Sequence, residues 1–276
     1  MCTSPSIKYA LINCLASQEH QAIRSWRAER TGYPSMTTES LVTEPLYRQT
    51  PYQADFEATV LAVDETGIVL DRSLFYPMGG GQPGDAGTLT MEDGTHLAIH
   101  DTRRDTSGTV RHLAADGVTL PKIGDRLRGT INWSLRHQRM RVHTALHLLS
   151  VVIPAPVTGG SIGDNQGRLD FDLPEATIDR ESVTHELNKL ITADYPVTTE
   201  WITDEELDAR PELIKTMSVK PPRTGGSVRL VRIGDIDLQP CGGTHVASTS
   251  EIGPMRVRKI EKKTRHNRRV SIILEE

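Results

Sequence analysis

The chain has 276 residues, enough for two domains that each bury a core. Its formal net charge of −4 at pH 7 argues against a protein that coats nucleic acid indiscriminately, while leaving room for a local basic surface. Three cysteines are too few for a disulfide framework and no segment reaches the roughly 20 apolar residues that cross a bilayer, so we expect a cytoplasmic protein with no membrane partner.

Residues 1–35 differ in character from the rest of the chain. Residues 9–16 are too short and poorly flanked for a signal sequence, and Glu19 and Glu29 disfavour a transit peptide. We interpret residues 1–35 as a disordered or dispensable extension, with Met36 as an alternative start.

Residues 36–132 are predicted to form a small β-barrel domain. Strand-like segments at residues 56–63, 68–75 and 126–133 are separated by turn signals, which is typical of a barrel or sandwich. Residues 75–85 are too rich in glycine for a strand interior. Their flanking aromatic residues and prolines favour a shaped loop over a flexible linker.

Residues 133–276 are predicted to form an α+β domain. The segment 135–152 has a helical apolar stripe with Ser134 as its candidate N-cap, and residues 180–193 form a second amphipathic helix. Segments such as 168–173 and 197–202 read as strands. We therefore expect helices on a mainly antiparallel sheet.

Two pairs of potential metal ligands have the same four-residue spacing. His143 and His147 share one face of the first predicted helix, and Cys241 and His245 bracket a glycine-rich loop. A histidine pair alone is common and is usually partly exposed or part of a core, but three imidazoles and a thiolate suit one tetrahedral zinc ion. A purely structural zinc is the competing interpretation.

A run of basic residues lies near the C-terminus and ends in the strand-like segment 270–274. Such a run is usually a solvated face, but on a folded edge it can bind a phosphate backbone. The candidates for these phosphate contacts are Arg256, Arg258, Lys259, Lys262, Lys263, Arg268 and Arg269.

Three separated motifs together resemble a known family. Residues 75–85, 143–149 and 239–246 are similar to those of the AlaX-type alanyl-tRNA editing proteins, free-standing relatives of the alanyl-tRNA synthetase editing domain. The resemblance runs from about residue 56 to 273 and favours the medium-length subclass. It implies an N-terminal barrel, an α+β editing domain, and one zinc ion held by His143, His147, Cys241 and His245.

The resemblance also implies a substrate. We expect a zinc-dependent deacylase that hydrolyses mischarged Ser-tRNA(Ala), with Gly-tRNA(Ala) as a second candidate, and spares Ala-tRNA(Ala). No class II aminoacylation domain is recognised, so we expect no charging of tRNA. The rival predictions are a non-catalytic tRNA-binding module with structural zinc, and a zinc hydrolase of small amino-acid esters or amides.

Further site residues are predicted in the helix, the glycine-rich loop and one strand. Thr144 is the candidate catalytic-site residue, and the glycine-rich loop supplies the candidate substrate contacts Gly79, Gly80, Gly81, Gln82 and Asp85. Thr144 and Gln82 are candidates to pair with the serine hydroxyl. The alternative for Thr144 is a hydrogen bond to the backbone of its own helix, and the alternative for Gln82 is a role in shaping the loop. Asp170 and Asp172 are candidate acceptors for the zinc-bound imidazoles, and Arg136, Arg139 and Arg141 are further candidates for the tRNA backbone.

Two roles for zinc remain open at this point. In one, zinc activates the attacking water; in the other, which we favour, it orders the pocket and the 3′-terminal adenosine. Four protein ligands leave no open coordination position, which is typical of structural sites.

Overall fold

Six antiparallel strands close into a barrel in the first part of the protein, in the order β2-β3-β7-β6-β5-β8. The computed structural model describes residues 41–173, 178–216 and 223–275, and of residues 223 and 224 it describes the backbone alone. The predicted extension, residues 1–35, lies outside this part. The elements up to the end of the barrel are β1 (Glu44–Pro45), α1 (Leu46–Gln49), β2 (Asp55–Asp64), β3 (Gly67–Leu70), β4 (Arg72–Ser73), β5 (Gly87–Met91), β6 (His96–Arg104), β7 (Val110–Ala114) and β8 (Arg126–Ile131).

The barrel interior is filled by alternate residues of its strands, which confirms the predicted barrel. Phe56, Ile68, Leu89 and Leu127 are among the buried residues of this core. The predicted strand 68–75 is instead interrupted at Asp71, whose carboxylate accepts a hydrogen bond from the Thr59 amide at 2.8 Å. The strand β3 therefore ends at Leu70, and the separate strand β4 begins at Arg72.

The glycine-rich loop between β4 and β5 has a defined shape. Asp85 is buried at its end, where the carboxylate accepts hydrogen bonds from the Tyr76 amide at 2.7 Å and from Arg136 Nε at 2.8 Å. The Gly81 carbonyl accepts a hydrogen bond from the Ile162 amide at 2.9 Å. The loop is therefore fixed near its middle to a strand and at its end to a helix, two elements that follow the barrel.

Helices on antiparallel sheets make up the rest of the described chain, which confirms the α+β class. One sheet has the order β15-β16-β10-β9; in the other, β13 pairs with β11, β12 and β14. None of the described helices is long and apolar enough to cross a bilayer. The elements are α2 (Trp133–Val152), β9 (Val157–Ile162), β10 (Gln166–Asp172), α3 (Arg180–Thr192), β11 (Val197–Thr203), α4 (Asp204–Asp208), β12 (Arg223–Thr224), β13 (Ser227–Ile233), β14 (Asp237–Pro240), β15 (Met255–Lys262) and β16 (Asn267–Leu274), with 3₁₀ turns at Pro211–Leu213 and Thr249–Ile252.

Helix α2 starts earlier than the sequence indicates. Its N-cap is Asn132, whose side-chain oxygen accepts a hydrogen bond from the Leu135 amide at 3.1 Å, so the prediction of Ser134 as the cap is wrong. The predicted stripe is buried as expected, with Val142, Leu146 and Leu149 in the core between α2, α3 and the first sheet. This packing sets the orientation of the helix and of the histidines beside the stripe.

Candidate metal centre

Two elements bring the four predicted metal ligands together. His143 and His147 lie one turn apart on α2, while Cys241 follows β14 and begins the loop that leads to His245. Arg229 of β13 holds this loop: its Nη1 donates hydrogen bonds to the carbonyl oxygens of Cys241 at 2.8 Å and Gly243 at 3.0 Å.

The ligand atoms lie at distances suited to one tetrahedral ion. All four lie within 4.8 Å of one another. Cys241 Sγ is 3.5 Å from His143 Nε2 and 3.3 Å from His245 Nε2. A tetrahedron with a Zn–S bond of about 2.3 Å and Zn–N bonds of about 2.0 Å has sulfur–nitrogen edges of about 3.5 Å. The donor set and its spacing therefore fit a metal ion of this kind.

Each imidazole is held by a hydrogen bond from the ring nitrogen that faces away from the cluster. Such bonds fix the tautomer and the ring orientation, and they leave Nε2 free to bind metal. The bonds run from His143 Nδ1 to Gln82 Oε1 at 3.0 Å, from His147 Nδ1 to Asp237 Oδ2 at 3.0 Å, and from His245 Nδ1 to Thr144 Oγ1 at 3.1 Å.

These acceptors correct one prediction. Asp170 does not reach an imidazole, because its carboxylate binds Arg269 at 2.7 and 2.9 Å and Arg168 at 2.7 Å. Asp172 is likewise not among the three acceptors. The alternation of β10 suggested these carboxylates, but it gives no information on which neighbouring element they face.

Thr144 and Gln82 are fully engaged in the protein itself. The Thr144 hydroxyl donates to the Met140 carbonyl at 3.0 Å and accepts from His245, and the side chain is completely buried. The Gln82 side chain donates to Thr244 Oγ1 at 2.8 Å and accepts from the Thr244 amide at 3.1 Å, in addition to its bond from His143. Both positions match a positioning role better than direct contact with substrate.

Gly243 is required by the closeness of this loop to the helix. A Cβ at this position would overlap the His143 ring and lie 2.8 Å from Gln82 Oε1. A larger residue would displace the imidazole from the cluster.

Asp237 and Lys215 belong to the site, although the sequence analysis did not identify them. Asp237 Oδ1 accepts a hydrogen bond from Lys215 Nζ at 2.5 Å, and Oδ2 accepts one from Gln239 Nε2 at 2.7 Å as well as the bond from His147. Asp237 is an acid at the start of a short strand, four residues before Cys241, and this was the available signal.

The environment of the cluster shifts the pKa values of Cys241 and His245 toward the protonation states that bind a metal ion. Burial raises the pKa of the Cys241 thiol, but His143 and His245 outweigh it and hold that pKa well below its ordinary value, so the thiolate is favoured. Burial, reinforced by His143, lowers the pKa of His245 to about 3, which keeps this ring neutral. Burial also lowers the pKa of His147, but Asp237 and Cys241 raise it to about 9.

A cavity of about 370 Å³ lies against the cluster. His143, His147 and Cys241 form part of its wall, as do Gly79, Gly80 and Gly81 of the glycine-rich loop. The described residues that line it include three cations and no Asp or Glu. Gln82 and Asp85 are not in the lining, so of the predicted substrate contacts only the three glycines face the cavity. The cations are Arg48, Arg104 and Lys215.

The basic C-terminal residues lie on the hairpin of β15 and β16. Arg256, Arg258, Lys259, Lys262 and Lys263 are exposed, whereas Arg268 and Arg269 are half-buried and Arg269 is paired with Asp170.

The predicted arginines near the start of α2 have other roles. Arg136 is completely buried and Arg139 nearly so, hence neither is available to a tRNA backbone. Arg136 binds Asp85, Arg139 Nη1 donates to the Gly84 carbonyl at 2.7 Å, and Arg141 Nε donates to the Ile252 carbonyl at 2.7 Å.

Two family models match the chain. The model described as "Threonyl and Alanyl tRNA synthetase second additional domain" matches residues 228–271, which include Cys241, His245 and the basic hairpin. The model described as "tRNA synthetases class II (A)" matches residues 12–135. This second match begins upstream of the predicted range of resemblance and includes residues 12–35; its described portion is mainly the barrel.

Related proteins match over most of the chain. "Alanyl-tRNA editing protein AlaX-M" of Methanosarcina acetivorans is 35% identical over 243 residues, covering 84% of this chain and 99% of the relative. The protein of the same name from Saccharolobus solfataricus is 32% identical over 233 residues, covering 83% and 98%. "Alanine--tRNA ligase" of Methanococcus maripaludis is 33% identical over 229 residues, covering 80% of this chain but only 25% of the ligase. A chain with this identity along nearly the full length of the AlaX-M proteins belongs to the AlaX family of alanyl-tRNA editing proteins.

Proposed function

We propose that this protein is a trans-editing hydrolase that deacylates mischarged Ser-tRNA(Ala), with Gly-tRNA(Ala) as a second substrate, and spares Ala-tRNA(Ala). The observation that carries the proposal is the placement of His143, His147 and Cys241 in the wall of a cation-lined cavity. A cavity of about 370 Å³ falls in the range that binds small-molecule groups. With aminoacyl-tRNA as the substrate, we also propose a cytoplasmic location.

The proposed metal is one zinc ion held by His143, His147, Cys241 and His245. When bound, zinc supplies Lewis acidity and attracts developing negative charge. Four protein ligands complete a tetrahedral sphere, which supports a role in shaping the cavity over a role in generating the nucleophile.

The reaction is hydrolysis of an ester. Water adds to the carbonyl carbon, the bond to the ribose oxygen breaks, and the products are the free amino acid and uncharged tRNA. Arg48 and Arg104 place positive charge in the cavity lining, where it attracts the phosphates next to the terminal adenosine. Orientation contributes strongly to such a reaction, because an aminoacyl ester is already activated.

Discrimination of serine from alanine requires polar groups within the cavity. Ser150 and Gln239 both line it, and Gln239 Nε2 donates a hydrogen bond to Ser150 Oγ at 3.3 Å. The hydroxyl of a serine substrate can form a hydrogen bond with this pair, whereas the methyl group of alanine cannot. We therefore assign serine contact to Ser150 and Gln239 in place of Thr144 and Gln82.

The basic hairpin is the proposed binding surface for the tRNA backbone. A groove runs from Ser161, which also lines the cavity, across the sheet to Arg258 and Lys259 of β15. Since β15 and β9 lie three strand spacings apart, the groove spans about 14 Å. This length suits a path along the acceptor stem, and phosphate contacts there would position the tRNA without reading its sequence.

The direct test is deacylation of Ser-, Gly- and Ala-tRNA(Ala) by the wild type and by Cys241→Ala, with bound zinc quantified in both. We expect rapid loss of serine, sparing of alanine, and collapse of activity together with zinc in the variant. Zinc-loaded, folded protein that binds these tRNAs without hydrolysis would instead favour the binding-module interpretation.

A second comparison distinguishes the proposed tRNA deacylase from a hydrolase of small amino-acid esters. Replacing Lys262 and Lys263 with glutamine should weaken activity on Ser-tRNA(Ala) and reduce its salt dependence, while Lys122→Gln on the barrel should have little effect. Arg269 is left unchanged, because its removal would leave Asp170 without its main partner. Full activity of the double variant on tRNA would favour the small-ester interpretation.

A further inference from the structure

An exposed tryptophan lies beside the cavity, outside the lining. Trp201 of β11 is 49% exposed, the highest value for an aromatic residue in the described part of the chain. The centre of the Arg48 guanidinium lies 5.7 Å from the centre of its ring. Because Arg48 also lines the cavity, the tryptophan is one side chain away from the cavity.

Strand register places Trp201 on the face of the sheet that carries the metal centre. Trp201 is directly opposite Arg229 in the antiparallel pair of β11 and β13. Residues opposite each other share a face, and the Arg229 side chain bonds the Cys241 and Gly243 carbonyls. The neighbouring Ile202 points to the other face, where it packs against a cluster of buried residues that includes Val228, the residue opposite it.

The Arg48 side chain is held near the ring by aromatic contacts. Its guanidinium also lies 5.9 Å from the Tyr47 ring centre. Arg48 Nε is buried, and it has no hydrogen-bond partner within the described residues. A planar cation close to two aromatic rings is the chemistry on which unpaired nucleobases stack, and its charge attracts phosphates.

We infer that Trp201 and Arg48 form a stacking site for an unpaired base in the 3′ end of the tRNA. The inference rests on the proposed function and adds a binding site to it. Bases of single-stranded RNA stack on exposed aromatic rings and on guanidinium planes without requiring a particular sequence. The cation-lined cavity next to the site accepts the terminal nucleotide, and a neighbouring base of the same strand stacks on Trp201.

The test compares binding of two uncharged RNAs, intact tRNA(Ala) and the same tRNA without its three 3′-terminal nucleotides. The wild type should bind the intact tRNA more tightly. Trp201→Ala should weaken binding of intact tRNA by roughly 5- to 150-fold and leave binding of the truncated tRNA unchanged. Trp201→Phe keeps a ring and should retain most of the affinity.

Two arginine variants give a matched pair, because Arg48 of α1 contacts Trp201 on one face of the sheet and Arg232 of β13 lies on the opposite face. Arg48→Met should weaken binding of intact tRNA selectively, as Trp201→Ala does. Arg232→Met removes an arginine that pairs with Glu200 at 3.0 Å on the opposite face, and it should affect both RNAs little. Melting temperatures of the variants establish that each is folded.

Equal binding of the two RNAs by the wild type would rule out the stacking site. So would a Trp201→Ala variant that binds intact tRNA like the wild type, or one whose binding of both RNAs is weakened to the same extent. Deacylation of Ser-tRNA(Ala) is measured separately. Retained deacylation with no selective loss of binding would refute the stacking site alone, whereas selective loss of binding by a protein without deacylase activity would refute only the proposed function.

Discussion

Asp237 Oδ2 lies 3.0 Å from Nδ1 of His147 and connects strand β14 to helix α2 at the metal centre. Asp237 is completely buried, and it also accepts a hydrogen bond from Lys215. Burial raises the pKa of this carboxyl, but the bonds from His147, Gln239 and Lys215 lower it to about 2, so the group is an anion. A buried anion against the ring nitrogen that faces away from the cluster makes His147 a stronger ligand.

Asp237→Asn should lower zinc affinity by roughly 10- to 100-fold, because the substitution keeps the shape of the side chain and removes its charge. Competition with a chelator of known affinity measures the change independently of activity. The control is Asp235→Asn, an exposed carboxylate in the turn before β14 that should bind zinc like the wild type. Equal zinc affinity of the two variants would show that Asp237 does not tune the site.

Thr144→Val should leave the preference for Ser-tRNA over Ala-tRNA unchanged. Valine keeps the volume but removes the acceptor for His245 Nδ1, so we expect weaker zinc binding and slower turnover of both substrates. Ser150→Ala, in contrast, should narrow the preference, since Ser150 lines the cavity. The measurement is kcat/KM for both charged tRNAs.

Thr192→Val is the control for a helical threonine that bonds the backbone four residues earlier. It should match the wild type in zinc content and in kcat/KM. A narrowed preference in Thr144→Val with full zinc content would restore Thr144 as the residue that contacts serine.

The four candidate metal ligands and the barrel could be predicted from sequence because each depends on local signals. Helical spacing places His143 beside His147, and the glycines after Cys241 indicate a tight loop. Alternation of apolar residues likewise indicates the barrel strands. These signals act over a few residues and do not depend on the rest of the fold.

The partners of the imidazoles could not be predicted, because they come from distant parts of the chain. Gln82 reaches His143 from a loop 61 residues earlier, and Asp237 reaches His147 from 90 residues later. Periodicity shows which residues share a face, but it does not show which element covers that face. Asp170 was therefore misassigned, although its strand was correctly predicted.

Arg136→Met should destabilise the protein by about 3–5 kcal/mol, because it leaves the Asp85 carboxylate buried without its charged partner. Arg136 and Asp85 are both almost completely buried, and the pair joins the glycine-rich loop to α2. Arg126→Met tests an exposed pair with Glu57, which should contribute at most about 1 kcal/mol. Urea unfolding of zinc-loaded protein measures both; equal stability of the two variants would contradict the structural role of the buried pair.

The free energy of unfolding should fall at low pH, because His112 is buried in the barrel core and takes up a proton more readily in the unfolded chain. Its Nδ1 donates to the Ile68 carbonyl at 3.0 Å and its Nε2 accepts from Ser73 Oγ at 2.7 Å, and burial lowers its pKa to about 4. The unfolded chain, with a pKa near 6.5, binds the proton first, so this stability is complete above pH 6.5 and is lost as pH falls toward 4. Between pH 6.5 and pH 4, the free energy of unfolding of the wild type should fall by about 3 kcal/mol more than that of His112→Gln. The control His100→Gln alters an exposed histidine and should follow the wild type, whereas parallel curves for the wild type and His112→Gln would contradict the prediction.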